Sequence, residues 1–315
     1  MALDEATTAF LTQMAESGRP PLHELTPMEA RGLGEALREM YGSGPEVGGV
    51  TEDTVPVDGG QIPVRILTPH GPPRAVIVYY HGGGWVIGAL DEYDTLARQM
   101  VERTGAAVVL VDYRLAPEHR YPTAPNDAWA ALRWVDERIE RIAGARVPLI
   151  VAGDSAGGNL SAVVAQRAKA EGGPAIALQV LVYPVTDADL DNASYVDPAN
   201  QLLLSRDSMI WFWDHYAPEP GDRKNPDASP LQAPDLSGLP PAVVLTAEHD
   251  VLRDEGEAYA DRLEEAGVPV RRRRFTGQMH GFFQMVNLLP GAAAGLAHVS
   301  DEIDRHLAAE QTPAR

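Results

Sequence analysis

The 315-residue chain contains no cysteine, only two lysines and no long hydrophobic run. The absence of cysteine excludes a disulfide framework, a cysteine nucleophile and a thiolate metal site. The apolar runs are too short for a transmembrane helix, which needs about 20 apolar residues. Residues 1–20 also lack the apolar core of a signal peptide. The sequence therefore predicts a protein without a membrane span, and we expect it to be soluble and cytoplasmic.

Positive charge is scarce as well, because 26 Lys and Arg residues face 45 Asp and Glu residues, for a formal net charge of −19. A surface of this sign repels phosphate backbones, so nucleic acid is not an expected partner. Residues 271–274 are four consecutive arginines on the predicted last strand. There, charged side chains that face solvent discourage unwanted pairing at a sheet edge. A phosphate-binding patch is the alternative interpretation of this run.

Several short runs rich in Val, Ile and Leu do not alternate with polar residues, which is typical of strands buried on both faces of a parallel sheet. Stretches with helical spacing lie between them. This alternation predicts an α/β domain of about eight mostly parallel strands, flanked by helices. The predicted strands are residues 50–57, 62–67, 75–80, 106–111, 147–152, 178–183, 242–247 and 268–275, and the main helices are residues 92–104, 125–142, 156–171, 253–266 and 290–310.

Two segments do not fit this alternation. The first holds two amphipathic helices before any strand, and Thr26 and Glu29 predict a capping box at the start of the second helix. The other segment is a connection between the sixth and seventh strands that is far longer than usual, which predicts an insertion. We therefore divide the chain into an N-terminal helical segment (1–45), a first part of the α/β domain (46–184), an insertion (185–240) and a second part of the α/β domain (241–315).

The turn after the fifth predicted strand carries the pattern of a nucleophile elbow, Gly153-Asp154-Ser155-Ala156-Gly157, between a strand and a helix. Small residues let the chain pass close to itself in such a strained turn, which lifts the Ser155 hydroxyl above the sheet. The N-terminus of the following helix points to the place where negative charge develops. Ser155 is therefore the predicted nucleophile, and a glycine-rich turn with an incidental serine is the alternative.

The third predicted strand ends in the sequence His-Gly-Gly-Gly-Trp, residues 81–85. Consecutive glycines expose backbone N–H groups, and an oxyanion hole needs such donors near the attacked carbonyl group. We predict Gly83 and Gly84 as two donors and the N–H group of Ala156 as the third. His81 is expected to hold this loop rather than to act as a base.

A serine nucleophile needs a base, and the base needs an orienting carboxylate, in the chain order Ser, Asp or Glu, His. Asp250 follows the seventh strand and His280 follows the eighth, so both are expected at the same sheet edge as Ser155. The other histidines precede Asp250, neighbour it or lie on the C-terminal helix. His280 is therefore the predicted base and Asp250 the predicted acid, with Glu248 as an alternative acid.

These two motifs occur together with residues 112–118 (Asp-Tyr-Arg-Leu-Ala-Pro-Glu), 250–256 (Asp-Val-Leu-Arg-Asp-Glu-Gly) and 280–282 (His-Gly-Phe). The combination resembles the bacterial hormone-sensitive-lipase-type esterases of family IV, in the branch with a Gly-Asp-Ser-Ala-Gly elbow. The resemblance covers about residues 50–310 and implies an α/β-hydrolase fold with a helical cap built from the two exceptional segments. Val251 departs from the family pattern, because many members have proline there.

The resemblance implies hydrolysis of small esters with short to medium acyl chains, and neither a cofactor nor a metal is expected. Asp154 and Glu118 are expected to be structural. The family often dimerises along the last strand, which makes this region the expected interface of a homodimer. Candidates for the acyl or alcohol pocket, each with packing between cap and core as the alternative, are Trp85, Leu204, Trp211, Phe212 and Phe282.

The sequence thus predicts a serine carboxylesterase that works through an acyl-enzyme. An amidase or deacetylase with the same triad stays open as an alternative, because these reactions share the triad chemistry. A small-molecule receptor is a further alternative. The gibberellin receptors of plants look like this family but have lost the catalytic histidine, whereas this sequence has His280.

Overall fold

Eight strands form one sheet in the computed structural model, which describes residues 2–310. The strands are β1 (Gly49–Val57), β2 (Gly60–Thr68), β3 (Val76–Tyr80), β4 (Ala107–Val111), β5 (Leu149–Asp154), β6 (Leu178–Val182), β7 (Ala242–His249) and β8 (Val270–Met279). Their order across the sheet is β1-β2-β4-β3-β5-β6-β7-β8. The β1–β2 and β2–β4 pairs are antiparallel and the other pairs are parallel, so the predicted fold class is confirmed.

Helices cover both faces of the sheet. Within residues 2–310 the α-helices are α1 (Glu5–Glu16), α2 (Pro27–Tyr41), α3 (Leu90–Thr104), α4 (Thr123–Ala143), α5 (Ala156–Glu171), α6 (Ala193–Val196), α7 (Arg206–Tyr216), α8 (Arg253–Glu265) and α9 (Pro290–Glu310). Helices α4, α5 and α8 pack on one face, and α3 and α9 pack on the other. In this part of the chain, no helix has the length and apolar character needed to span a bilayer.

The central strand β3 shows why the apolar runs do not alternate. Val76, Val78 and Tyr80 pack into the core beneath α4 and α5, whereas Ile77 and Tyr79 pack into the core beneath α3 and α9. Both faces of the strand are therefore shielded from solvent, and each residue of β3 is buried. A strand in this position must be apolar at every residue.

The two exceptional segments lie over the carboxyl edge of the sheet and touch each other. Thr26 and Glu29 form the predicted capping box at the start of α2. Trp211 of α7 donates its indole N–H to the carbonyl oxygen of Leu25, 3.2 Å away. Arg31 of α2 pairs with Glu118 at 2.7 Å and lowers the pKa of that carboxyl group to about 2. Glu118 thus anchors α2 to the loop after β4.

Strand β8 lies at the edge of the sheet, and its four arginines are exposed. Arg272 pairs with Asp261, and Arg274 pairs with Glu257, so helix α8 partly neutralises the run. These contacts support a solvent-facing edge rather than a phosphate-binding patch. The homodimer along this strand stays a prediction.

Candidate active site

Ser155, Asp250 and His280 lie next to one another at the carboxyl ends of β5, β7 and β8. The Ser155 hydroxyl donates to Nε2 of His280 at 3.0 Å, and Nδ1–H of His280 donates to Oδ2 of Asp250 at 2.7 Å. Asp250 is fully buried, and its second oxygen accepts the N–H group of Leu252 at 2.9 Å. This chain of hydrogen bonds can take the proton from the Ser155 hydroxyl and stabilise the imidazolium that forms.

Ser155 is held in a strained turn, with φ at 55° and ψ at −119°. Its N–H group donates to the carbonyl oxygen of Val182 at 2.9 Å, which fixes the turn against β6. A Cβ atom on Gly157 would lie only 1.8 Å from the carbonyl oxygen of Tyr80. Residue 157 must therefore be glycine if α5 is to start this close to β3.

Glu248, the alternative acid, does not bond to His280. Its carboxylate accepts the N–H group of Gly277 at 2.8 Å, and its backbone carbonyl accepts a hydrogen bond from Arg253. Since Nδ1–H of His280 donates to Asp250, the geometry favours Asp250 over Glu248 as its partner.

The glycine loop after β3 lies beside Ser155, and both line the same cavity. Gly83 has φ at 110°, and its carbonyl oxygen accepts the N–H groups of Val86 and Ile87 at 3.0 and 2.9 Å. Within residues 2–310, the N–H groups of Gly83 and Gly84 donate to no acceptor. Ala156 begins α5, so its N–H group also has no partner in the helix. Gly83 and Gly84 line the cavity, whereas Ala156 does not.

His81 holds the start of this loop, as expected. Its ring stacks on Tyr113, with ring centroids 4.3 Å apart, and Nδ1–H donates to the carbonyl oxygen of Gly82 at 2.7 Å. The Tyr113 hydroxyl donates to the carbonyl oxygen of His81 at 2.8 Å. Burial lowers the pKa of His81 to about 4, so this ring is neutral at neutral pH and does not act as a charged group.

The cavity has a volume of about 430 Å³ and is bounded by the glycine loop and both cap segments. Leu204 and Phe212 line it, as predicted, together with Ser155 and His280. Phe212 lies close to Gly84, since a Cβ atom on that glycine would be 2.2 Å from the phenyl ring. Cap residues therefore pack directly against the loop that carries the exposed N–H groups.

The other three pocket candidates do not line this cavity. Trp85 is fully buried and stacks on the ring of Tyr216 at 4.0 Å. Trp211 turns toward the N-terminal segment, where it bonds to Leu25. Phe282 is buried between other aromatic rings behind His280. For Trp85, Trp211 and Phe282 the pocket prediction is wrong, because each side chain packs between elements instead of facing the cavity.

Sequence reasoning missed the contribution of the first 40 residues to the cavity wall. Apolar residues of α1, α2 and the segment between them line it, and so does a methionine that follows β8. The amphipathic pattern of these helices was the available signal, since an apolar face must cover something. The missed apolar residues include Leu11, Met14, Leu22, Leu33 and Met285.

Comparison with known proteins agrees with this geometry. A family model described as the alpha/beta hydrolase fold matches residues 77–284. Carboxylesterase NlhH of Mycobacterium tuberculosis is 46% identical over 253 residues, which are 78% of each chain. The ethyl acetate hydrolase of Pseudomonas putida is 37% identical over 320 residues, covering 98% of this chain and 100% of that one.

Solved structures of esterases superpose on nearly the whole chain. A thermostable esterase from Pseudomonas putida ECU1011 gives a TM-score of 0.90 at 39% identity, over 97% of this chain and 98% of that one. The hyperthermophilic esterase of Pyrobaculum calidifontis gives 0.90 at 36% identity, over 97% and 99% of the two chains. These likenesses cover the cap segments as well as the sheet.

The fold places the protein among the α/β hydrolases. The chain belongs to the hormone-sensitive-lipase-type family of that superfamily, as its motifs predict, and the bacterial relatives found are carboxylesterases. The comparisons confirm the predicted enzyme class, a carboxylic ester hydrolase.

The close approach at Gly157 generates a first prediction. Gly157→Ala places a methyl group on the carbonyl oxygen of Tyr80, so the elbow must shift and esterase activity is expected to fall at least about 100-fold. The matched control is Gly221→Ala in the insertion, where nothing lies within 4 Å of the new Cβ atom. Hydrolysis rates and circular dichroism of both variants check this. Wild-type activity in Gly157→Ala would contradict it.

Proposed function

We propose that this protein is a serine carboxylesterase that hydrolyses small esters of short- to medium-chain acids through an acyl-enzyme. In this proposal Ser155 is the nucleophile, His280 the general base and acid, and Asp250 the residue that orients His280. The observation that carries it is the continuous hydrogen-bonded chain from the Ser155 hydroxyl to the buried Asp250 carboxylate, at 3.0 and 2.7 Å.

Acylation follows from this geometry. The Ser155 oxygen attacks the ester carbonyl carbon while Nε2 of His280 takes the hydroxyl proton. The carbonyl oxygen becomes an oxyanion, which accepts hydrogen bonds from the free N–H groups of Gly83, Gly84 and Ala156. When the tetrahedral intermediate collapses, His280 gives its proton to the alcohol oxygen, and the alcohol leaves.

Deacylation repeats these steps with water. Nε2 of His280 takes a proton from a water molecule, whose oxygen attacks the carbonyl carbon of the acyl-enzyme. The same N–H groups stabilise the second oxyanion. Collapse of this intermediate returns the proton to the Ser155 oxygen and releases the carboxylic acid, so neither a metal nor a cofactor takes part in the proposed mechanism.

The size and lining of the cavity support a short or medium acyl chain. Small-molecule sites enclose roughly 300–1,000 Å³, and the cavity of about 430 Å³ is near the lower end of that range. Apolar side chains such as Leu204 and Phe212 favour a hydrocarbon chain over a charged one. A small, neutral ester is therefore the proposed substrate.

The catalytic assignment is tested by removing the nucleophile and the base separately. Ser155→Ala and His280→Ala are each expected to lower kcat by about 10⁶-fold, as in other serine triads. His70→Ala is the matched control, because His70 is exposed and follows β2, far from the carboxyl edge that carries Ser155. Steady-state hydrolysis of p-nitrophenyl acetate measures all three. Substantial turnover in Ser155→Ala would refute the assignment.

The substrate class is tested by a series of p-nitrophenyl esters from acetate to palmitate. We expect kcat/KM to peak at a short or medium acyl chain and to fall for longer ones, because the cavity limits the length of chain that it can bury. A peak at palmitate would contradict the proposed chain length while leaving the triad intact. Turnover of the corresponding p-nitroanilides that exceeds turnover of the esters would favour an amidase.

A further inference from the structure

Four backbone polar groups in the glycine loop of the candidate site are held by hydrogen bonds. The carbonyl oxygen of His81 accepts from Tyr113, and that of Gly82 accepts from the His81 ring. The carbonyl oxygen of Gly83 accepts two N–H groups of its own loop. The direction of the Gly83 and Gly84 N–H groups therefore depends on these anchors.

The remaining anchor is the N–H group of Gly82, which is held by Asp154. This N–H group lies 3.0 Å from Oδ1 of Asp154 and 2.9 Å from the Tyr93 hydroxyl oxygen. The Tyr93 hydroxyl donates to Oδ2 of Asp154 at 3.2 Å, and the Tyr79 hydroxyl donates to Oδ1 at 2.9 Å. All three partners of the carboxylate are donors, and they belong to three different elements of the fold.

These contacts matter because Asp154 is the residue directly before Ser155 in the chain. Asp154 is the last residue of β5 and precedes Ser155, so its backbone belongs to the nucleophile elbow. Its side chain, which is 4% exposed, reaches across to β3 and to the loop that follows it. One residue therefore ties the nucleophile to the donors that must face the same carbonyl group. The fit is tight, since a Cβ atom on Gly82 would lie 2.5 Å from Oδ2.

We propose that Asp154 is a positioning residue for the oxyanion hole, which sets the distance between Ser155 and the N–H groups of Gly83 and Gly84 through its hydrogen bond to Gly82. This inference rests on the function proposed above. Asp154 does not touch the substrate carbonyl in this role. Burial raises the pKa of Asp154 to about 6, so the carboxylate is ionised at pH 8 and accepts from all three donors.

Two substitutions test whether the hydrogen bonds made by the side chain of residue 154 hold the glycine loop in place. Asp154→Ala removes one of the two acceptors for the Gly82 N–H group and leaves a gap beside the other, Tyr93, so the loop is expected to relax. Asp154→Asn keeps an oxygen for Gly82 and Tyr79, and its amide N–H can donate to the Tyr93 hydroxyl, which already accepts from Gly82. The asparagine variant should therefore retain most of the geometry without the charge. Tyr93→Phe removes one hydroxyl group of this network, and it replaces Asp154→Ala in the experiment if that variant does not fold.

The readout is the ratio of rates for an ester and its thionoester, in which sulfur replaces the carbonyl oxygen. Sulfur is a weak hydrogen-bond acceptor, so the thionoester gains little from an oxyanion hole. A defect confined to the donors slows the ester and barely affects the thionoester, whereas a damaged nucleophile or a general loss of structure slows both. The ratio therefore reports on the oxyanion hole itself.

For Asp154→Ala we expect kcat for p-nitrophenyl acetate to fall about 100-fold, which is the effect of losing one oxyanion donor. The thionoester rate is expected to change less than about threefold, so the ratio collapses, and KM for the ester is expected to stay within about threefold. Asp154→Asn should keep the ratio within about tenfold of wild type. Tyr93→Phe should lower the ratio in the same direction as Asp154→Ala.

The matched control is Glu255→Gln. Glu255 is equally buried and also accepts backbone N–H groups, those of Thr186 and Asp187, but it lies away from the glycine loop. Its ratio of ester to thionoester rates should equal that of wild type. If Asp154→Ala lowers both rates equally, or if Asp154→Asn is as poor as Asp154→Ala, the positioning role is wrong. Failure of the proposed function looks different, because wild-type protein would then hydrolyse no ester.

Discussion

The carbonyl oxygen of Tyr80 leaves no room for a side chain at Gly157, and the catalytic geometry depends on this close approach. Strand β3 carries the glycine loop, and its neighbour β5 carries Ser155. Because helix α5 starts directly against the end of β3, the strained turn at Ser155 is held beside the free N–H groups of Gly83 and Gly84. One steric constraint thus brings the proposed nucleophile and the proposed oxyanion donors to the same place.

The parallel sheet positions the other two members of the proposed triad, Asp250 and His280. Strands β5, β6, β7 and β8 are consecutive neighbours, so the residues that follow them converge at one edge. An irregularity between Ala247 and His249 shifts the register of β7 against β8 near this edge. The two cap segments then close the site from above, and Phe212 packs against the glycine loop. The sheet therefore sets the chemistry, and the cap sets the size of the cavity.

The three residues of the proposed triad could be selected from the sequence because they follow strands and lie in local motifs, and the strand ends are visible in the apolar pattern. The pocket could be predicted only in part. Neighbouring residues on a helix point about 100° apart, so Phe212 faces the cavity while Trp211 faces Leu25. Which side chain of α7 faces the cavity depends on how the helix packs against distant parts of the chain. The local sequence pattern does not show this. The pocket prediction for Trp85 is wrong for the same reason. Its ring packs on Tyr216, which lies over 100 residues away along the chain.

The most direct test of the account is covalent trapping of the nucleophile with an alkyl p-nitrophenyl phosphonate. Attack by the Ser155 oxygen on phosphorus displaces p-nitrophenolate and leaves a stable tetrahedral adduct in the site. Mass spectrometry of peptides from the treated protein should place one adduct per chain, on Ser155, with full loss of esterase activity. An adduct on another residue together with that loss, or a modified Ser155 in a protein that keeps its activity, would contradict the central claim.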